Sequence, residues 1–171
     1  MEIEEAIAHC KNTNLFGWEL VEYVQKFIHV RMAYSYNNSF DMPYIALKKG
    51  KGYCWQQAVV LQKILNCLNF KCNLVYSIKN YIPEKQYEGI TIKEHESGHV
   101  WCKVIIDGIE KDVCPGNINN KPGKIHFTPL SPVKKWNSFI GFWSYWGSAF
   151  VNYRRLKSIK NKKRLELNNK N

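Results

Sequence analysis

No apolar stretch in this chain approaches the ~18 to 20 residues needed to cross a bilayer. The best candidate, Phe139 to Val151, is short and broken by glycine and serine, so a soluble protein is expected. The start of the chain also lacks the basic-then-apolar pattern of an export signal, with Glu2, Glu4 and Glu5 in its place. Six cysteines, Cys10, Cys54, Cys67, Cys72, Cys102 and Cys114, are scattered without a paired framework. Without an export signal they predict thiols in a reducing, cytoplasmic setting rather than three disulfides. Acidic residues are scarce toward the end. Residues 132–171 hold one acid against ten Lys or Arg, so most of the net charge of +11 belongs to that segment. No internal repeat is visible.

At 171 residues the chain fits one domain and is long enough to bury close to ~70% of its unfolded surface, which removes the need for covalent staples. Leu20, Tyr23, Val24, Phe27, Ile28 and Val30 recur at mostly three- and four-residue intervals, predicting an amphipathic helix near residues 15–34 that ends by Asn37-Asn38. Lys48 to Gly52 reads as a glycine loop. It enters a second helical run at Cys54, where Ala58, Leu61, Ile64, Leu65 and Leu68 are interleaved with glutamine and lysine.

Lys71 to Lys79 alternates as a strand, and Asn80 to Glu96, interrupted by Pro83 and Gly89, reads as a long connection. His99 to Ile106 is rich in β-branched and aromatic residues. Asp107-Gly108 is a strong two-residue turn signal, and Ile109 to Val113 completes a hairpin. With residues 107 and 108 in the turn, Asp112 faces Lys103 and lies four positions along from His99, a gap that twist, a bulge or a bend must close. A loop runs to about Ser131. Trp136, Phe139, Ile140, Trp143, Trp146 and Phe150 then predict a helix starting near Ser131-Pro132, with a frayed end from Lys160.

A cysteine at a helix start, a histidine opening a strand and a carboxylate on the neighbouring strand are the parts of a thiol nucleophile with its base and orienter. An ordinary thiol has a pKa near ~8.5 and needs help to ionise at neutral pH. The first turn of a helix supplies unpaired N–H groups and a positive dipole end, and a nearby imidazolium favours the same ion. Cys54, His99 and Asp112 are therefore the candidate catalytic residues. Gly52, Tyr53, Trp55 and Trp101, which flank the reactive positions, are expected to bind substrate. Cys10, Cys67, Cys72 and Cys102 read as small buried hydrophobes, and His9, His29 and His126 as surface or satisfied histidines.

Gly52-Tyr53-Cys54 before a helix, Gly98-His99-Val100-Trp101 opening a strand and Asp112-Val113-Cys114-Pro115 together resemble the three core motifs of the transglutaminase-like superfamily of papain-type cysteine enzymes. The resemblance covers roughly residues 18–116. It implies an α+β fold, with the cysteine starting a central helix packed on an antiparallel sheet that carries the histidine and aspartate. The organisation expected is residues 1–131 as a catalytic domain of that kind and residues 132–171, which the resemblance does not cover, as a basic, aromatic helical extension. Cys54 would be the nucleophile, His99 the base and acid, and Asp112 the orienter, acting on a peptide or carboxamide carbonyl with no metal or organic cofactor. In the family the proline usually follows the aspartate directly, whereas this chain has Val113-Cys114 between them. Family members include cross-linking transglutaminases, proteases, amidases and forms without catalysis, so a non-catalytic scaffold stays open.

Two other readings compete. His95-Glu96-Ser97-Gly98-His99 satisfies the five-residue pattern of zinc proteases, which requires both histidines on one face of a helix. Gly98 and the β-branched run after it predict a strand there. The aromatic residues of the extension, followed by Arg154, Arg155, Lys157, Lys160, Lys162, Lys163 and Arg164, also suit an anionic membrane surface or single-stranded nucleic acid. The plainer expectation is that the aromatic face packs on the rest of the chain while the basic end is solvated.

Overall fold

A computed structural model describes residues 1–87 and 90–168. Gly89 lies outside them, as do the side chains of Ile140, Trp143, Lys162, Lys163 and Arg164. The chain folds as an α+β unit around one helix, α4 (Cys54–Cys67). Gln56, Gln57, Ala58, Val60, Leu61, Ile64 and Leu65 of α4 are all buried, so it is wrapped on more than one side. Helices α1 (Ile3–Lys11), α2 (Gly17–Arg31) and α3 (Pro43–Lys49) pack against it from the N-terminal part of the chain. α2 does so through a stripe of Leu20, Val21, Val24 and Ile28, the periodicity expected of a helix with one core-facing side.

The other side of α4 meets an antiparallel sheet ordered β7-β6-β3-β8, formed by β7 (Ile109–Val113), β6 (His95–Ile106), β3 (Lys71–Ile82) and β8 (Thr128–Pro129). Strand β9 (Lys134–Lys135) also pairs with β3. Strand alternation divides the sheet into two faces. Val100, Cys102 and Val104 of β6 join Leu74 and Val113 in the main core against α4. Trp101 turns to the opposite face, where Val75, Cys114 and Phe127 form a second cluster. Asp107 and Gly108 both adopt positive φ, 49° and 79°, the tight turn that suits the twist of the β6–β7 hairpin.

Where a glycine loop was expected, α3 ends on Gly50 in the left-handed conformation (φ 68°), and β2 (Lys51–Gly52) pairs in parallel with β1 (Ala33–Tyr34). The expected connection over residues 80–96 is narrower, because β3 runs on to Ile82 and β6 begins at His95, with β4 (Lys85–Tyr87) and β5 (Ile90–Ile92) forming a small hairpin between them. Helix α5 (Ser138–Asn168) starts later than expected, since Lys134 and Lys135 are drawn into the sheet, and it continues past Lys160. Its aromatic residues divide: Trp136, just before it, packs edge-on against Tyr76, whereas Phe139 and Trp146 are exposed. Among the described residues no helix is long and apolar enough to cross a membrane.

Candidate active site

One cavity of about 360 Å³ lies between the start of α4, the His95 end of β6 and the middle of α5. Cys54 and His99 both line it, as do Tyr53 and Trp55. Cys54 is the first residue of α4, after Tyr53 in extended conformation, so the positive end of the helix dipole falls at the thiol. Gln56 fixes this entry: its Oε1 accepts from Tyr53 N–H at 3.0 Å, and its Nε2 donates to the carbonyls of Asn38 and Asp41 at 2.9 and 2.7 Å. Burial, then the proximity of Cys54 and Tyr145, pushes the Tyr53 phenol well above its ordinary range. Tyr34 is raised in the same direction by burial first, with Tyr36 and Cys54 adding to it and Arg155 opposing it. These phenols therefore stay protonated beside the thiol.

A β-bulge sets the direction of His99. The β3–β6 register shifts between Ser77, which pairs with His99, and Asn80, which pairs with Ser97, so Gly98 faces two residues. Asn80 clamps the irregularity by donating from Nδ2 to the carbonyls of Ser77 and Ser97, each at 3.0 Å. His99 is 7% exposed. It packs edge-on against Phe127 at 4.3 Å between ring centroids and lies nearly parallel to Trp101 at 6.1 Å. Its Nε2 is 3.4 Å from the sulfur of Cys114.

Asp112 pairs with Lys103 as expected, and the β6–β7 ladder is regular from Cys102 to Ile106. The bulge thus lies on the β3 side of His99 and does not draw Asp112 toward it. Four positions along a strand span about 13 Å. The carboxylate accepts instead from Trp101 Nε1 at 2.7 Å, with Lys103 Nζ at 3.9 Å. Trp101 stands between Asp112 and His99.

Gly52 and Trp101 are not among the residues lining the cavity. Trp101 is fully buried and braces the imidazole from behind. A Cβ on Gly52 would meet Met32 Cε at 2.8 Å and Gln56 at 3.2 Å, so this glycine admits neighbouring protein rather than substrate. Gly52→Ala is expected to cost about 1 kcal/mol in a urea titration, as an overpacked site does, with no change in KM beyond twofold. A raised KM at unchanged stability would return the residue to the substrate side.

The zinc-protease spacing fails on geometry. His95 and His99 belong to one strand, paired with Ile82 and Ser77, so they are again about 13 Å apart and do not share a helical face. Among the described residues no three His, Cys, Asp or Glu side chains converge as metal ligands. Of the cysteines expected to be buried, Cys10, Cys72 and Cys102 are, while Cys67 is exposed. Burial pushes the Cys10 thiol up to about 11. Burial, then Cys72 and Cys114, holds Cys102 well above the ordinary thiol range.

Four site features were not anticipated from sequence. Cys114 reaches His99. His126 lines the cavity and hydrogen-bonds through Nδ1 with the Asn120 amide. Gly147, Val151, Asn152 and Arg155 bring α5 to the cavity wall, with Arg155 donating to Ser97 Oγ at 3.1 Å. Tyr145 packs edge-on against Trp55 at 5.4 Å and donates to the Phe40 carbonyl at 2.6 Å. The signal available for Cys114 was the hairpin register: one position past Val113 falls opposite Trp101, only two positions from His99.

The family model of the transglutaminase-like superfamily matches residues 3–110. The match includes Cys54 and His99 and ends before Asp112 and Cys114. No curated protein matches the chain by sequence. Among solved structures, the chain is similar to a candidate cysteine protease from Cytophaga hutchinsonii, with 9% identity and a TM-score of 0.47. That likeness covers 79% of this chain and 47% of the other, so the chain spans about half the length of that neighbour.

Proposed function

Because the chain belongs to the transglutaminase-like superfamily, we propose that it is a cysteine enzyme acting on a peptide or carboxamide carbonyl, with Cys54 as nucleophile and His99 as general base and acid. His99 takes the proton of the Cys54 thiol as sulfur bonds to the carbonyl carbon. It then protonates the leaving nitrogen as the C–N bond breaks, leaving a thioester. Water in the second step gives a carboxylic acid and restores the thiol; a primary amine gives a new amide. Hydrolysis is favoured, with transamidation as the close second. Asp112 would act at one remove, by holding Trp101 against the imidazole. The observation carrying this reading is that a helix-start cysteine and a buried histidine, far apart in sequence, line one cavity.

Two polar atoms beside Cys54 support it. Trp55 Nε1 and Tyr53 OH are buried without a hydrogen-bond partner among the described residues. Such groups are costly unless something satisfies them, and a carbonyl oxygen gaining charge at Cys54 would do so. Trp55→Phe keeps the ring against Tyr145 and removes the donor. It is expected to lower kcat by about 10²-fold with little change in KM, the cost of one oxyanion donor. Asp and Glu are absent from the described lining, and Arg155 adds a cation, which suits neutral or acidic substrate flanks. Six cysteines outside any disulfide suit a reducing compartment such as the cytoplasm.

Incubation with a glutamine-containing peptide, with and without a primary amine, tests the reaction by product mass. A gain of about 1 Da marks hydrolysis of the side chain, a cleaved backbone marks proteolysis, and an amine adduct marks transamidation. No product from any of a panel of such peptides would favour the second reading, a binding scaffold. That reading draws on the commitment of Asp112 to Trp101.

A further inference from the structure

Cys114, neither the expected carboxylate nor the proposed nucleophile, lies at hydrogen-bonding distance from His99 Nε2. Cys114 is 2% exposed and is not part of the cavity wall, whereas Cys54 is half-buried and is. Substrate can therefore reach Cys54 but not Cys114. The Cys114 sulfur lies 3.4 Å from His99 Nε2 and accepts the N–H of Gly116, also at 3.4 Å. Its backbone is fixed from two directions. Asn120 Nδ2 donates to the Cys114 carbonyl at 2.8 Å, and the next carbonyl, of Pro115, is hydrogen-bonded to His29 Nδ1 at 2.7 Å. A sulfur so held has little freedom to leave the ring.

We infer that Cys114 is the positioning residue of this site, the group that orients the His99 imidazole where a carboxylate was expected. The inference rests on the assignment of Cys54 and His99 as nucleophile and base. His99 Nε2–H donates to the sulfur, which selects the tautomer with Nδ1 unprotonated and leaves that nitrogen to take the Cys54 proton. Gly116 N–H donates to the same sulfur and so favours its role as acceptor. Hairpin geometry explains why Cys114 fills this place: opposite Trp101 in the continued register, it is a diagonal neighbour of His99, within the ~7–8 Å that cross-strand side chains bridge. Asp112, two positions farther off, reaches only Trp101. A thiol is a weaker acceptor than a carboxylate, so it directs the ring while stabilising the imidazolium less.

The test is made on the full chain with Cys114→Ala, Cys114→Ser, Cys114→Asp and Asp112→Asn. Two measurements are needed: the His99 tautomer from long-range 15N–1H correlations, and the site-mapped rate of Cys54 alkylation by iodoacetamide at pH 6. Wild type should show the Nε2–H tautomer. Cys114→Ala should show a mixture and slow Cys54 alkylation about 10-fold, since a mis-set tautomer removes the base. Cys114→Asp should restore both readings, and Cys114→Ser, the conservative change, should keep the tautomer if the larger changes unfold the protein. Asp112→Asn should cost less than Cys114→Ala in each.

A wild-type tautomer and rate in folded Cys114→Ala would overturn the inference, as would a greater loss in Asp112→Asn than in Cys114→Ala. Failure of the underlying assignment looks different: Cys54 would then react no faster than the exposed Cys67 in wild type. The tautomer comparison would still decide whether Cys114 directs the ring.

Discussion

Cys54→Ala is expected to bring turnover to the uncatalysed background while leaving the fold intact. The thiol is half-buried at the first position of α4, and alanine is the best helix former, so stability should stay within about 0.5 kcal/mol of wild type. The chemical loss is complete because no other cysteine can substitute. Cys114 is shut away from the cavity, Cys67 lies at the far end of α4, and Cys10, Cys72 and Cys102 are buried in the core, with burial pushing up the thiols of Cys10 and Cys102. Assay of the purified variant against wild type, with circular dichroism as the folding control, checks this. Residual turnover above a few per cent would place the chemistry elsewhere.

His99→Gln is the second large effect. Glutamine fills much of the imidazole volume between Phe127 and Trp101 but cannot accept the thiol proton, so kcat should fall about 10³-fold with the fold retained. His99→Ala should lose at least as much activity and some stability as well, because it leaves a gap in a packed ring cluster. If the histidine served only as packing, glutamine would rescue what alanine loses. The pair of variants therefore separates proton transfer from support.

Parts of this arrangement were legible in the sequence because they rest on local physics. The α2 and α4 stripes follow helical periodicity, and Asp107-Gly108 specifies its own turn, which in turn fixed the pairing of Asp112 with Lys103. Helices α1 and α3 left a weaker trace. α1 buries only Ile3, Ala6 and Cys10, residues of modest apolar contrast, and α3 has seven residues, too few to establish a period. The strands through Asn80 and Ser97 are held by backbone pairing and the Asn80 amide, which leave no hydrophobic alternation to read. β9 is two exposed lysines, indistinguishable from a basic loop until β3 is beside it.

The site follows the same division. Cys54 and His99 were identifiable because each begins a regular element whose type its neighbours declare. The partner of the imidazole was not, because it depends on which way a ring turns at a bulge, and on Trp101 taking the carboxylate that would otherwise serve. α5 enters the cavity through Gly147, Val151, Asn152 and Arg155, a contact between distant parts of the chain that periodicity cannot indicate.

Activation of the Cys54 sulfur by its place in the fold is the premise of the proposed chemistry. Brief treatment with substoichiometric iodoacetamide at pH 6, followed by peptide mass mapping, tests it most directly. Label is expected to accumulate first on Cys54, ahead of the more exposed Cys67, and His99→Gln is expected to abolish the preference. Equal or faster labelling of Cys67 in the wild-type protein would contradict it.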